Sequence, residues 1–345
     1  MFVVSTIYFF VSKDEYIIAT ANEPLVHYQG KIYHIFFHSL IVYPELAFDG
    51  SKSSLLYKNY MITRDEFRKI LPELYKNNFI LIDINSLYGV DINGKVSEKP
   101  IFLPKGKKPL IISLDDLSYY NSMKGHGFAN KLVLDKNGQV STRIITPSSE
   151  VQITRDGDVI PILDDFVSNH PDFSFQGAKG LIAITGYEGI LGYRTNNLKS
   201  KSYLQDIKDV QKVISKLKET GWVFGSHSYY HNKEFSTGVI SLKNLEKDTE
   251  LWDKEVKPLV GDTNIFIGPF GEIFNKENDP RRSYLVSHGF KMFCGVGLDL
   301  YYNTSQNYIV MDRADIDGYR LTHNNYLMKK YFDPKEVIDS FRKTI

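Results

Sequence analysis

Along this chain two hydrophobic periods take turns. Short apolar runs rich in β-branched and aromatic residues predict strands: KIYHIFFHSLIV (31–42), FILIDI (79–84), PLIISL (109–114), GLIAIT (180–185), WVFGS (222–226), NIFIG (264–268), FKMFCGV (290–296) and NYIVMD (307–312). Between several of them the apolar positions fall at helical spacing. TRDEFRKILPELYK (63–76) opens on Thr63 as N-cap with acidic residues in its first turn, and QDIKDVQKVISKLKET (205–220) stops at Gly221. SLKNLEKDTELWDKEVKPLV (241–260) predicts a third helix. Apolar runs joined through helices favour right-handed crossovers, hence an α/β architecture: a parallel sheet or barrel covered by helices.

Two stretches interrupt the alternation. Asn93-Gly94 in VDINGKV and Asn137-Gly138 in LVLDKNGQV carry the signature of type I′ hairpins, so β-hairpin insertions are expected there. No linker is long or polar enough to divide the chain, so residues 31–345 read as one domain behind an N-terminal extension over 1–30. The extension starts MFVVSTIYFFV, too short to span a bilayer and lacking a basic n-region. A degenerate export signal and a plain first strand are both open, with a slight preference for the former.

Composition changes this picture in three ways. Forty-two Lys+Arg against forty-one Asp+Glu leave a net charge of +1, which gives no basic field for nucleic acid. Neither G-x-G-x-x-G nor a P-loop lysine pattern occurs, so nucleotide binding has no support. The single cysteine, Cys294, cannot form an internal disulfide, and its apolar neighbours predict a buried thiol. The 23 Tyr and 22 Phe suit stacking on sugar rings, and suit an ordinary core equally well.

Functional groups in such folds gather where strands end, and four stretches stand there. SLDDLSYY (113–120) runs an apolar strand into Asp115 and Asp116. Neighbouring carboxylates converge only where a strand gives way to a loop; a lone Asp pair is more often a loop start or helix cap. GSHSYYH (225–231) sets His227 and His231 four apart, a spacing that on a helix lets two imidazoles grip one ion. It is not the HExxH of zincin proteases, because Ser228 stands where a glutamate is needed. FIGPFGE (266–272) ends a strand in a turn able to present the N–H and ring of Phe270; YRLTH (319–323) carries His323.

In order and spacing these four stretches resemble the motif series of the polysaccharide deacetylases, the carbohydrate esterases with a NodB homology domain, over residues 105–325. The resemblance implies a distorted (β/α) barrel, a divalent ion that is commonly zinc, and hydrolysis of acetyl groups on an N-acetylated polysaccharide such as peptidoglycan. It makes Asp116, His227 and His231 the metal ligands, Asp115 the general base and His323 the general acid. One carboxylate and two neutral imidazoles also suit zinc on chemical grounds, leaving a position open for water whose pKa then approaches about 7. Phe270 would offer its N–H to the oxyanion, and Phe270, Tyr230 and Arg313 are expected on the substrate side. Such polymers place the chain outside the cytoplasm or at the cell surface, acting on the cell wall.

The match departs from the family in definite places. Leu117 follows the aspartates where glycine is usual, and is expected to narrow the approach. Ile267 stands where an arginine usually holds the catalytic aspartate. Arg313 and Arg194 are substitutes for that arginine, each more often a surface salt bridge. Trp222 and Trp252 read as packing residues, Asp164 and Asp165 as solvated helix residues, and His38 as a rim residue or a buried structural one. Asp317 is a candidate carboxylate partner for the acid. These departures keep two alternatives: a catalytically impaired NodB-like domain that binds glycan, and a metallohydrolase for another amide or ester.

Overall fold

The computed structural model describes residues 24–323 and 325–343. Each of the eight apolar runs contains a strand, and seven of these close into a parallel barrel. They are β1 (Tyr33–Phe37), β2 (Lys108–Asp115), β3 (Gly180–Ile184), β4 (Trp222–Ser226), β5 (Ile265–Ile267), β6 (Met292–Val296) and β7 (Ile309–Asp315). Each pairs with the next in sequence, and β7 returns to pair with β1. The eighth, Phe79–Leu81, lies outside the ring. It pairs with Lys108–Leu110, below the Ser113–Asp115 stretch of β2 that β3 occupies.

The apolar runs are continuous because both faces of each strand are covered. One parity points inward, where Ile111, Leu181, Ala183, Ile265, Ile267, Met292, Cys294, Ile309 and Met311 fill the barrel. The other points outward, where Ile35, Phe37, Leu110, Ile112, Leu114, Ile182 and Ile184 meet the helices. Cys294 is fully buried in the interior, and burial pushes its thiol up to about 12.

The helices form as their caps dictate. In α1 (Arg64–Lys76) the Thr63 hydroxyl accepts from the Glu66 N–H at 3.1 Å while Glu66 accepts from the Thr63 N–H at 2.8 Å, a complete capping box. Helix α2 (Val159–Asn169) is capped by Asp158, and α3 (Tyr203–Glu219) precedes Gly221 at φ +97°. The helix expected over 241–260 is two pieces, α4 (Leu242–Glu255) and a short turn at Lys257–Val260. Pro258 has no N–H for the Lys254 carbonyl and crowds the residue before it, which breaks the ladder. Helices α5 (Pro280–Ser287) and α6 (Gly318–Thr322) follow β5 and β7.

Both hairpins occur, as Tyr88–Val90 with Val96–Glu98 and Lys131–Leu134 with Val140–Ile145. Their turns are not type I′. Only Gly94 and Gly138 take positive φ, at 75° and 73°, because the carboxylates of Asp91 and Asp135 bind the N–H of Asn93 and Asn137 and hold those asparagines out of the left-handed region. Trp222 and Trp252 are buried, as packing predicts, and donate their indole N–H to Asp164 and to the Ile184 carbonyl, each at 3.0 Å. Asp164 is therefore no solvated helix residue; it also pairs with Lys179 at 3.0 Å. Asp165 pairs with Arg155.

Of the expected N-terminal extension, Leu25–Tyr28 is a strand paired with Ile101–Pro104, while the apolar run at 1–11 lies outside the described residues. No helix among the described residues is long and apolar enough to cross a membrane. At the other end, Arg342 and Glu66 form a fully buried pair at 2.6 Å, joined by the Asp339 N–H at 3.1 Å, and so dock residues 339–342 on α1. Replacing Glu66 by Ala strands the Arg342 charge and undoes the capping box, and is expected to cost about 3–5 kcal/mol in urea denaturation.

Candidate metal centre

At the carboxyl ends of the strands the inward parity changes from apolar to charged. β2 ends on Asp115. Were the strand to run on, Asp116 would face outward; it takes φ +59° instead, and the turn swings its carboxylate to the same rim. The Tyr120 hydroxyl donates to Asp116 Oδ1 at 2.6 Å and lies 2.9 Å from Thr185 Oγ1. Burial, with Asp116 beside it, pushes the Tyr120 pKa well above its ordinary value, so the hydroxyl stays a donor.

The HSYYH residues follow β4 as a loop, not as the helix their spacing suits. Ser228 at φ +60° and His231 at φ +48° fold the chain back, so the rings of His227 and His231 lie 4.9 Å apart. Asp248 on α4 supports this loop by accepting the N–H groups of Tyr229 and Tyr230 at 2.7 and 2.9 Å. The Ser228 hydroxyl accepts from the His231 N–H at 3.0 Å.

Hydrogen-bond logic fixes the His227 tautomer. Its Nδ1 lies 2.9 Å from the Ile267 carbonyl, which can only accept, so Nδ1 carries the hydrogen and Nε2 keeps its lone pair. That Nε2 lies 3.7 Å from Asp115 Oδ2, and His231 Nε2 lies 3.8 Å from Asp116 Oδ2. Burial lowers the His227 pKa despite the nearby aspartates, which favours the neutral, ligating form. One donor atom from each of Asp116, His227 and His231 lies within 4.8 Å of the others. A carboxylate with two imidazoles fits zinc or a similar divalent ion, bound at about 2.0–2.2 Å.

Asp115 is held by Arg313. The guanidinium donates from Nη1 to Oδ1 at 2.6 Å and from Nη2 to Oδ2 at 3.0 Å, and reaches Ser113 Oγ at 3.1 Å and the Gly295 carbonyl at 3.2 Å. Arg313 is 0 % exposed, so it neither forms a surface salt bridge nor touches substrate; both expectations for it are corrected by burial. Burial alone would raise the Asp115 pKa, but Arg313 and then His227 hold it well below the usual carboxylate range. Ser113 accepts from Arg313 and therefore donates to His34 Nε2 at 3.0 Å. Burial keeps His34 neutral.

Arg194 serves the neighbouring loop. It donates to the carbonyls of Glu188, Ser118 and Tyr119 at 2.6, 3.3 and 2.7 Å, and its ion pair with Glu188 is loose at 3.8 Å. Leu117 is buried in the outer core and does not narrow the approach. Phe270 and Tyr230 are 55 % and 50 % exposed, and the Phe270 ring lies 4.5 Å from that of His231. Gly268 precedes the Pro269-Phe270 turn because a Cβ there would lie 1.9 Å from the Glu272 carbonyl oxygen.

His323 stands apart. It caps α6, is exposed, stacks on Tyr319 with ring centroids 4.6 Å apart, and has Nδ1 2.8 Å from Thr322 Oγ1. Among the described residues no hydrogen bond, ion pair or ring contact joins it to the Asp–His group. The histidine that neighbours Asp115 and Asp116 electrostatically, besides His227 and His231, is His38 at the end of β1.

The sequence signalled none of the supporting residues Tyr120, Asp248 and Asp158. Asp158 ties two rim loops to α2: it accepts from the N–H groups of Val159 and Leu40 at 2.8 and 3.1 Å and from the Tyr119 hydroxyl at 2.8 Å. No family model matches the chain, and comparison with curated proteins gives no match either.

Metal analysis is expected to find a divalent ion bound by the wild type, with content lost in His227→Ala and Asp116→Ala and kept in His323→Ala. A second expectation concerns Asp158, whose pKa burial raises to about 6. Its folded pKa exceeds the unfolded one, so the native state holds the extra proton between about pH 4 and 6. Relative to Asp158→Asn, wild-type stability should fall by an amount on the order of 3 kcal/mol as pH rises through that window, then level off in urea titrations.

Proposed function

We propose that this chain is a metal-dependent hydrolase that removes acetyl groups from an N-acetylated polysaccharide, peptidoglycan or a related surface glycan. The observation that carries the reading is one barrel rim holding two things together: the donor set Asp116, His227 and His231, and a separate ionised carboxylate, Asp115, locked by Arg313. A purely structural site needs the first and not the second.

When bound at that donor set, a divalent ion such as Zn2+ supplies Lewis-acid polarisation and makes water acidic at neutral pH. The remaining work falls to the chain. Asp115 accepts the proton of the attacking water. Arg313 engages each of its oxygens, and each keeps a second lone pair. The pairing that keeps Asp115 ionised also lowers its basicity, so its contribution is orientation more than proton affinity. Phe270 is the second residue of the turn begun by Pro269, where early N–H groups have no acceptor within the turn; its φ of +55° frees that N–H for the oxyanion. The exposed rings of Phe270 and Tyr230 offer apolar faces for sugar rings. On this reading the chain works outside the cytoplasm, where such polymers lie.

The exposed, detached position of His323 favours a second reading, a NodB-like domain that binds glycan without turnover. Acetate release from N-acetylglucosamine oligomers separates the two. The hydrolase reading expects release that a chelator abolishes and Zn2+ restores. It further expects kcat to drop about 10²–10⁴-fold in Asp115→Asn and about 10–100-fold in Arg313→Met with metal content kept. Oligomer binding by metal-replete wild type with no acetate formed removes the hydrolase reading.

A further inference from the structure

The inward parity of β1 continues past its last paired residue. His34 and Phe36 point into the barrel, the first bonded to Ser113 and the second lying 4.3 Å beneath the Arg313 guanidinium. His38 is the next residue of that parity and reaches the rim half-buried. Register fixes its neighbours on both sides. Phe37 lies opposite Leu114 on β2, so His38 comes level with Asp115. Phe36 lies opposite Asp315 on β7 and accepts the Ile316 N–H at 3.1 Å, so Asp317 comes level with His38 from the other side. The electrostatics agree: His38 adds to the lowering of Asp115 after Arg313 and His227, adds to that of Asp116 after His231 and His227, and opposes the rise that burial imposes on Asp317.

The imidazole is also uncommitted. Its ring packs edge-on against Phe36 at 5.8 Å, and its nitrogens make no hydrogen bond to any described residue. The other histidines near this end of the barrel are taken: His227 and His231 belong to the donor set, His34 is sealed in the interior, and His323 stacks outside on Tyr319.

We propose that His38 is the catalytic residue that protonates the departing nitrogen, an assignment that rests on the hydrolase reading above. Water adds its oxygen to the acetamide carbon and passes a proton to Asp115. As the C–N bond breaks, the electron pair stays on nitrogen, which takes the proton from His38, and acetic acid and the free amine leave. The proton on Asp115 then returns to the neighbouring His38, restoring both groups. Asp317, fixed as the cap of α6 by the Arg320 N–H at 2.8 Å, is the carboxylate placed to orient the imidazole.

The leaving group supplies the test. Zn2+-loaded wild type, His38→Ala, His38→Asn and His323→Ala are assayed on an N-acetylglucosamine oligomer, whose amine must be protonated to leave, and on 4-nitrophenyl acetate, whose phenolate need not be. Both His38 variants are expected to lose about 10²–10³-fold in kcat on the oligomer, to change less than about threefold on the ester, and to keep wild-type metal content. His323→Ala should retain both activities. Ester turnover doubles as the check that each variant is folded. Equal loss on both substrates, or no loss on the oligomer, overturns the role of His38 while leaving the hydrolase reading in place. A wild type that turns over neither substrate overturns the hydrolase reading and His38 with it.

Discussion

The buried pair between Arg313 and Asp115 is the constraint on which the rim depends. Its side chains are 1 % and 4 % exposed, and it reaches from β7 to β2 across β1, with Phe36 of β1 as its floor. Ions so enclosed are tolerable only when every donor is matched. Here the guanidinium has the carboxylate, a hydroxyl and a backbone carbonyl, and the hydroxyl is in turn satisfied by His34. The result is an aspartate with a single orientation at the last residue of a strand, from which the turn at Asp116 departs in a defined direction.

Above that layer the backbone is strained. Asp116, Tyr119, Ser228, His231 and Phe270 all take positive φ, each at a cost of about 1–3 kcal/mol. Such strain persists only where surroundings over-determine it. Asp158 gathers the loops after β1 and β2, Asp248 holds the loop after β4, and Arg194 grips carbonyls of the β2 loop. The donors are thus set by elements behind them, in the manner of residues that orient metal ligands.

Much of the architecture was legible because burial on both faces writes itself as unbroken apolar runs, and caps such as Thr63 and Gly221 mark their helices. Closure into a barrel was expected from the family resemblance alone and is what the structure shows, since nothing in YHIFF or IVMDRAD states that they pair. The donor set was found through HSYYH, although its spacing suggested a helix and the loop reaches the same pairing through two left-handed residues. Arg313 was legible as a candidate to hold Asp115, which it does, but its burial was not, because that depends on Phe36 and Ser113, far away in sequence. His323 is indicated by a local pattern alone, while for His38 the sequence leaves rim and buried structural positions both open, because only the barrel reveals the inward face of its run. Asp164 reads as solvated from its helix alone, because its partners Lys179 and Trp222 come from later segments of the chain.

Barrel closure joins residues 33–37 to residues 309–315, nearly the two ends of the described chain. Contacts so distant in sequence are slow to form, because a long loop must be closed before they repay its entropy. His38 and Asp317 flank that seam, whereas β2, β3 and β4 are assembled from earlier stretches. During synthesis the first barrel strand must therefore wait, with one edge unpaired, until residues 309–315 have emerged. The rim that we propose for chemistry thus includes the contact of longest sequence separation in the barrel.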